Sequence, residues 1–284
     1  MRTLSIRAGL MAAIVFGVVV SGVATGYASH SWGGYHWATT TKPFTLQLGN
    51  NMSGDWPGYL TTASSAWGST NYENQVDTFG NVVKNPLRTN LVLGAHLKRC
   101  GAVRGRVEVC NGSYGQNGWL GLAQIWLDGS GHIVQGTTKM NDSYFNNSYY
   151  NNPNEKLHVV CQEVGHTFGL DHQDTSGASV GTCMDYFSNT GNNATSSLST
   201  LPNLHDYGEL TLIYNHNDTY NSYSAAVTVA AGKFGGSPGE VGPDGVDGNG
   251  TPRGASRERG NWYVEDLGNG ARLVTHIFWA ERGR

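Results

Sequence analysis

The sequence predicts an α+β fold. Three observations carry that reading. Five short runs are apolar or alternate apolar with polar residues, between clusters of Gly, Asn and Pro, as strands do. Two segments combine helix-capping residues with apolar positions at helical spacing. The 40 Gly among 284 residues, with abundant Asn, Ser and Thr, call for many turns. Hydrophobic residues make up 38% and aromatics 11%, enough to bury a core. Charged residues are only 14% and the formal net charge is −3. That balance argues against a protein that coats nucleic acid, which needs a basic excess to neutralise phosphates.

The elements follow in order. Arg2 and Arg7, the apolar run Ala8 to Val20 and the small residues Ala24 and Ala28 form a secretory signal over 1–28, with a short membrane anchor as the alternative. No apolar run reaches the roughly 18 residues of a membrane span. The expected product is a secreted, extracellular monomer with no stable membrane insertion after processing and no nucleic-acid partner. Residues 29–224 read as the main domain, 225–260 as a Gly/Pro-rich linker and 261–284 as a hairpin-like tail turning at Gly268-Asn269-Gly270. Strands are expected at Pro43 to Leu48, Thr89 to Ala95, Gly105 to Val109, Leu120 to Leu127 and His132 to Met140. Asp55 and Pro57 open a helix that runs to Trp67, and another spans Leu204 to Asn215. The clearest helix starts at Asn152, with Pro153 in its first turn and Glu155 at the capping-box position. Leu157, Cys161, Val164 and Phe168 give it a core face, and Gly169 stops it. Four cysteines, Cys100, Cys110, Cys161 and Cys183, suggest two disulfides in an exported chain. Three pairings are open, among which Cys100–Cys110 closes a small loop.

The chemistry is concentrated in Gln162-Glu163-Val164-Gly165-His166-Thr167-Phe168-Gly169-Leu170-Asp171-His172. Positions 162 and 166 lie one helical turn apart on one face. The chain breaks at Gly169, so His172 can return toward the same point. Three donors then converge on one ion and leave a fourth position for water, the arrangement of a catalytic zinc site. Glu163 stands beside them as a general base for that water.

This stretch resembles the metzincin signature H-E-x-x-H-x-x-G-x-x-H, with Gln162 in the first histidine position. Cys183-Met184-Asp185-Tyr186, with Met184 12 residues after His172, resembles the methionine-bearing turn of that family. Leu120 to Ile125 resembles the matrixin edge strand along which substrate lies, and Asn141-Asp142-Ser143-Tyr144-Phe145 the segment after the next strand. The likeness covers about residues 31–222 and is specific at 162–186. It implies a metzincin-like fold: a twisted, mostly parallel sheet with an antiparallel edge strand, an active-site helix, and a small loop-rich C-terminal subdomain with the Met-turn and a helix. It implies a zinc metalloendopeptidase acting on protein or peptide substrates, with Gln162, His166 and His172 on Zn2+, Glu163 as base and Tyr186 stabilising the oxyanion. Met184 and Gly169 are then structural, and a Cys161–Cys183 bridge ties the turn to the helix.

The departure at Gln162 leaves three outcomes. Its amide oxygen ligates zinc, though zinc favours N and S donors; or Asp174 or Tyr186 takes its place; or metal binding is too weak and the chain is a binding protein on the same scaffold. A carbohydrate- or wall-binding role, suggested by 8 Trp and 14 Tyr, is a third class of function. His158 would put His166 about 12 Å away along the helix, so it reads as a packing or solvent-facing residue. Asp171 reads equally as a partner orienting His172 or as a turn acid. His205-Asp206 reads as a helix-start pair. Asp128-Gly129-Ser130-Gly131 is a strand-connecting turn that resembles a Ca2+ loop. Arg99-Cys100-Gly101 resembles a matrixin cysteine switch, a reading set aside because Cys110 is a ready partner.

Overall fold

The computed structural model describes residues 29–78, 80–223, 251–281 and 283. The expected signal segment, and the linker from 225 to 250, lie outside the described residues. The elements in chain order are β1 (His36–Trp37), β2 (Phe44–Asn51), α1 (Trp56–Trp67), β3 (Leu87–Leu93), β4 (Val107–Gly112), β5 (Trp119–Leu127) and β6 (His132–Asn141). Then follow α2 (Asp142–Phe145), α3 (Pro153–His166), α4 (Leu204–Ile213), β7 (Trp262–Gly268) and β8 (Ala271–Trp279).

The strands form one mixed sheet in the order β3-β2-β4-β6-β5-β8-β7, with β1 pairing β6. The pairs β1–β6, β2–β3, β2–β4 and β4–β6 are parallel. The pairs β5–β6, β5–β8 and β7–β8 are antiparallel. The fold is therefore α+β around a mixed, largely parallel sheet. Two expectations need correction. Strand β5 is antiparallel to β6 but is not an edge strand, because β8 hydrogen-bonds along its outer side from Trp119 to Leu127. Within the expected tail, β7 and β8 do form a hairpin, and β8 continues the main sheet rather than trailing from it. The physical reason is visible in β5 itself, which is buried along nearly its whole length. An apolar strand covered on both faces leaves an unpaired edge that another strand can satisfy.

Helices α1 and α3 pack on the sheet. The Asn152 side chain caps α3 by accepting from the amides of Asn154 and Glu155, and Pro153 occupies the first turn, where no N–H is needed. Asp55 makes no cap to α1; its carboxylate pairs with Lys156 Nζ at 2.8 Å and links the two helix starts. The Trp67 indole donates to the Cys161 carbonyl at 3.0 Å, which fixes the crossing of α1 over α3. The capping box of α4 is Asn203 with Asp206, the expected helix-start acid. No helix among the described residues is long and apolar enough to cross a membrane.

Candidate metal centre

Helix α3 delivers His166 in its last turn. Gly169 then turns the chain at φ +99°, a left-handed conformation that glycine adopts cheaply. A Cβ there would lie 2.0 Å from the Tyr35 carbonyl oxygen, so the site excludes any side chain for a second reason. The reversal brings His172 back against His166, with ring centroids 4.6 Å apart. The third imidazole comes from far along the chain. Strand β8 pairs Ala123 of β5 with His276, and the His276 ring stands 4.0 Å from that of His166 and 4.8 Å from that of His172. The ligand nitrogens of His166, His172 and His276 all lie within 4.8 Å of one another.

The hydrogen bonds assign the tautomers. His166 Nδ1 donates to the Leu170 carbonyl at 2.8 Å. His172 Nδ1 faces the Asp171 carboxylate at 3.2 Å, and His276 Nδ1 faces Glu163 Oε2 at 3.2 Å. Each Nδ1 thus carries its proton toward an acceptor, and each Nε2 keeps a lone pair. All three Nε2 atoms are buried without a hydrogen-bond partner. A buried acceptor left unpaired costs about 1–3 kcal/mol, so three of them aimed at one place require a common partner. A divalent cation fits, because ligating imidazoles normally give their other N–H to a carbonyl or carboxylate. Burial also keeps the rings in the neutral, ligating form. It pushes His166 well below its usual value, His172 down to about 4 and His276 down to about 3. The donor set identifies the centre as a candidate metal site without naming the ion.

Glu163 is fully buried, and burial pushes its carboxyl well above the ordinary range. Its Oε2 orients His276 while Oε1 has no partner. Tyr186 meets His172 edge-on, with ring centroids 4.3 Å apart, and its hydroxyl takes a hydrogen bond from Asn261. Burial raises the phenol above its usual value. Trp262 of β7 lies over all three imidazoles, 4.4 Å from His276 and 5.0 Å from His166. Met184 lies under α3: a Cβ at Gly165 would come within 2.6 Å of its sulfur. The Cys161–Cys183 disulfide joins this turn to α3, and Cys100–Cys110 closes the second loop.

No protein-family model matches the chain, and no curated protein matches it in sequence.

The structure adds one residue to the expected donors. The Gln162 amide is held at one end only, and its Oε1 is buried without a hydrogen-bond partner. Its Nε2 donates to the carbonyls of Cys183 and Asp185, both at 2.8 Å, so the amide ties α3 to the turn. His276 brings a third imidazole nitrogen to those of His166 and His172. Asp174, considered as a substitute, accepts from the Ser176 amide and hydroxyl and is not part of the cluster. Asp171 does orient His172. His158 is a buried packing residue, held by Asn189 and the Asp185 carbonyl. Asp128 serves its turn by accepting from the Ser130 and His132 amides. His276 was missed, although a signal existed. It is the one imidazole in the mostly apolar strand β8, and a buried histidine needs a polar partner.

Proposed function

We propose that the chain is a secreted zinc-dependent metalloendopeptidase of metzincin type, in which His166, His172 and His276 hold the metal. The observation that supports this is the trio of buried, unpartnered Nε2 atoms. Three histidines and an open position are the ligand pattern of catalytic rather than structural zinc. When bound, zinc supplies Lewis-acid polarisation and a water made acidic enough to attack near neutral pH. The protein's own residues supply the rest. Asp171 and Glu163 lock the imidazole tautomers. Oε1 of Glu163 is free to accept the proton of the attacking water and pass it to the leaving amine. The Tyr186 phenol, kept protonated by burial, is a donor for a developing oxyanion.

One observation favours a second reading, a weakly active or inactive binding protein on the same scaffold. Strand β8 occupies the outer edge of β5, where an extended peptide would pair, and Trp262 covers the imidazoles. Casein hydrolysis by the purified, zinc-loaded chain separates the two. Chelator-sensitive cleavage that is lost in Glu163→Ala is expected for the peptidase. Cleavage retained in Glu163→Ala, or none from the wild type, overturns it.

A further inference from the structure

A second group of histidines lies away from the buried centre, where the N-terminal segment, the start of β6 and the chain after α4 meet. Parallel pairing of β1 with β6 places His36 directly opposite His132. Their rings are 4.8 Å apart and nearly perpendicular, at 88°. His216 approaches His36 from the other side, at 4.7 Å and 89°. Asp218 closes the group: the ligand atoms of His36, His132 and Asp218 all lie within 4.8 Å of one another. The side chains of His36, His132 and Asp218 are 13%, 16% and 8% exposed, and that of His216 is 47% exposed.

The donors and acceptors here do not balance by themselves. His36 Nδ1 lies 2.9 Å from the Gly34 carbonyl, which only accepts, so Nδ1 carries the proton. Tyr220 donates its hydroxyl hydrogen to Asp128, so the phenol oxygen must accept from His132 Nδ1 at 3.0 Å. Both rings, when neutral, therefore turn an Nε2 lone pair inward. His132 Nε2 then faces Asp218 Oδ1, an acceptor, at 3.1 Å. His36 Nε2 faces His216 Nε2 at 3.1 Å. The other Asp218 oxygen is engaged by the Thr39 amide at 2.8 Å, which fixes the carboxylate. His216 can donate its own Nε2 proton to His36, but a neutral His132 has no proton to offer Asp218. A divalent ion among His36, His132 and Asp218 answers that contact, and His216 reaches the same place with its Nε2 3.1 Å from His36 and 3.5 Å from Asp218.

We propose that His36, His132, His216 and Asp218 form a second metal site for a zinc-like divalent transition-metal ion, one that staples three distant segments of the chain together. Three imidazoles and one carboxylate suit tetrahedral zinc, and imidazole donors disfavour calcium and magnesium. The outward Nδ1 atoms already have the carbonyl and phenol partners that hold ligating rings in place. All four ligands come from the protein, so the site is closed, as structural rather than catalytic zinc sites are.

The test titrates Zn2+ alone into the purified, chelator-stripped full chain and counts equivalents by competition with a chromophoric chelator. Two equivalents are expected for the wild type. One is expected for His132→Gln, with affinity at this site lowered at least a hundredfold, and one for His276→Gln. A wild type that binds a single equivalent, lost in His132→Gln and kept in His276→Gln, supports this site while removing metal from the buried centre. The proposal is overturned if His132→Gln and Asp218→Asn bind as many equivalents as the wild type, within threefold in affinity. It is equally overturned if His132 proves to be an imidazolium whose ring nitrogen resonances Zn2+ leaves unmoved. Should His132→Gln fail to fold, the more exposed His216→Gln carries the test. At least a tenfold weakening at one site is then expected, and an unchanged titration overturns the proposal.

Discussion

Replacing His276 by Gln distinguishes the ligand set of the folded chain from the one the helix motif alone suggests. The variant removes one of three buried imidazole donors and leaves the Glu163 carboxyl without its Nδ1 partner. Structural zinc binds with about 10–16 kcal/mol, commonly spread over four ligands, so one ligand is worth roughly 3–4 kcal/mol. Three kcal/mol is a little over a hundredfold in affinity. The consequence is readable in thermal unfolding. At zinc a hundred times the wild-type Kd, the wild type gains about 2.7 kcal/mol, and a variant with a hundredfold weaker site gains only about 0.4 kcal/mol. For a domain of this size, where 1 kcal/mol is worth about 2–4 °C, the zinc shift falls from roughly 5–10 °C to about 1 °C. The measurement is made in the His132→Gln background, so that only the buried centre contributes. Gln162→Ala is the control. It loses two hydrogen bonds to the Met184 turn and should lower stability in both forms, while keeping zinc affinity within tenfold of the parent. The reasoning is refuted if His276→Gln keeps the full zinc shift and Gln162→Ala abolishes it.

Other expectations rest on single features of the structure. Glu155 is fully buried, accepts the Asn189 amide at 2.7 Å, and is held by burial up to about 8 from an ordinary 4.5. A carboxyl raised on folding contributes stability that is complete below about pH 4.5 and is lost as pH rises through about 8. Urea unfolding between pH 5 and pH 8 should therefore lose up to about 1.4 kcal/mol per pH unit relative to Glu155→Gln, and parallel curves for the two proteins would contradict this. Gly169→Ala combines a left-handed φ with a Cβ 2.0 Å from the Tyr35 oxygen, and at least about 2 kcal/mol of stability should be lost in urea unfolding. Opening Cys161–Cys183, whose partners are 22 residues apart, by a double Cys→Ala change should cost about 3 kcal/mol by chain entropy.

Much of the main domain could be read from the chain because its signals are local. Asn152-Pro153 marks the start of α3, Gly169 its reversal, and the apolar runs near 44, 87, 107, 119 and 132 become β2 to β6. Both disulfides pair as expected. What escaped depends on long-range register. The two-residue strand β1 has no pattern of its own; its partner β6 makes it a strand and sets His36 against His132. His276 lies 104 positions beyond His172 in sequence, and its one local signal, an imidazole in a mostly apolar strand, does not tie it to the helix motif. Gln162 occupies the expected helix face, but its Nε2 answers to two carbonyls of the turn below and only Oε1 is left without a partner. A helical motif fixes which residues share a face, whereas hydrogen-bond demand from other segments decides where each side chain points.

The C-terminal hairpin couples two properties that are separate in sequence. Strand β8 satisfies the open edge of β5 along Trp119 to Leu127, and in the same register brings His276 to the buried centre. Trp262 on β7 then packs over the three imidazoles and against Trp32 of the N-terminal segment. An extended peptide that claimed the edge of β5 would have to displace β8, and His276 would leave with it. The centre would fall from three imidazoles to two, and Glu163 Oε2 would lose its partner. Linkage makes this reciprocal: an ion bound by His166, His172 and His276 strengthens the docking of β8 by as much as that docking strengthens the ion. Metal affinity and access to the β5 edge are therefore opposed within one element, and zinc should slow any proteolytic cut in β7 or β8 that requires the hairpin to open.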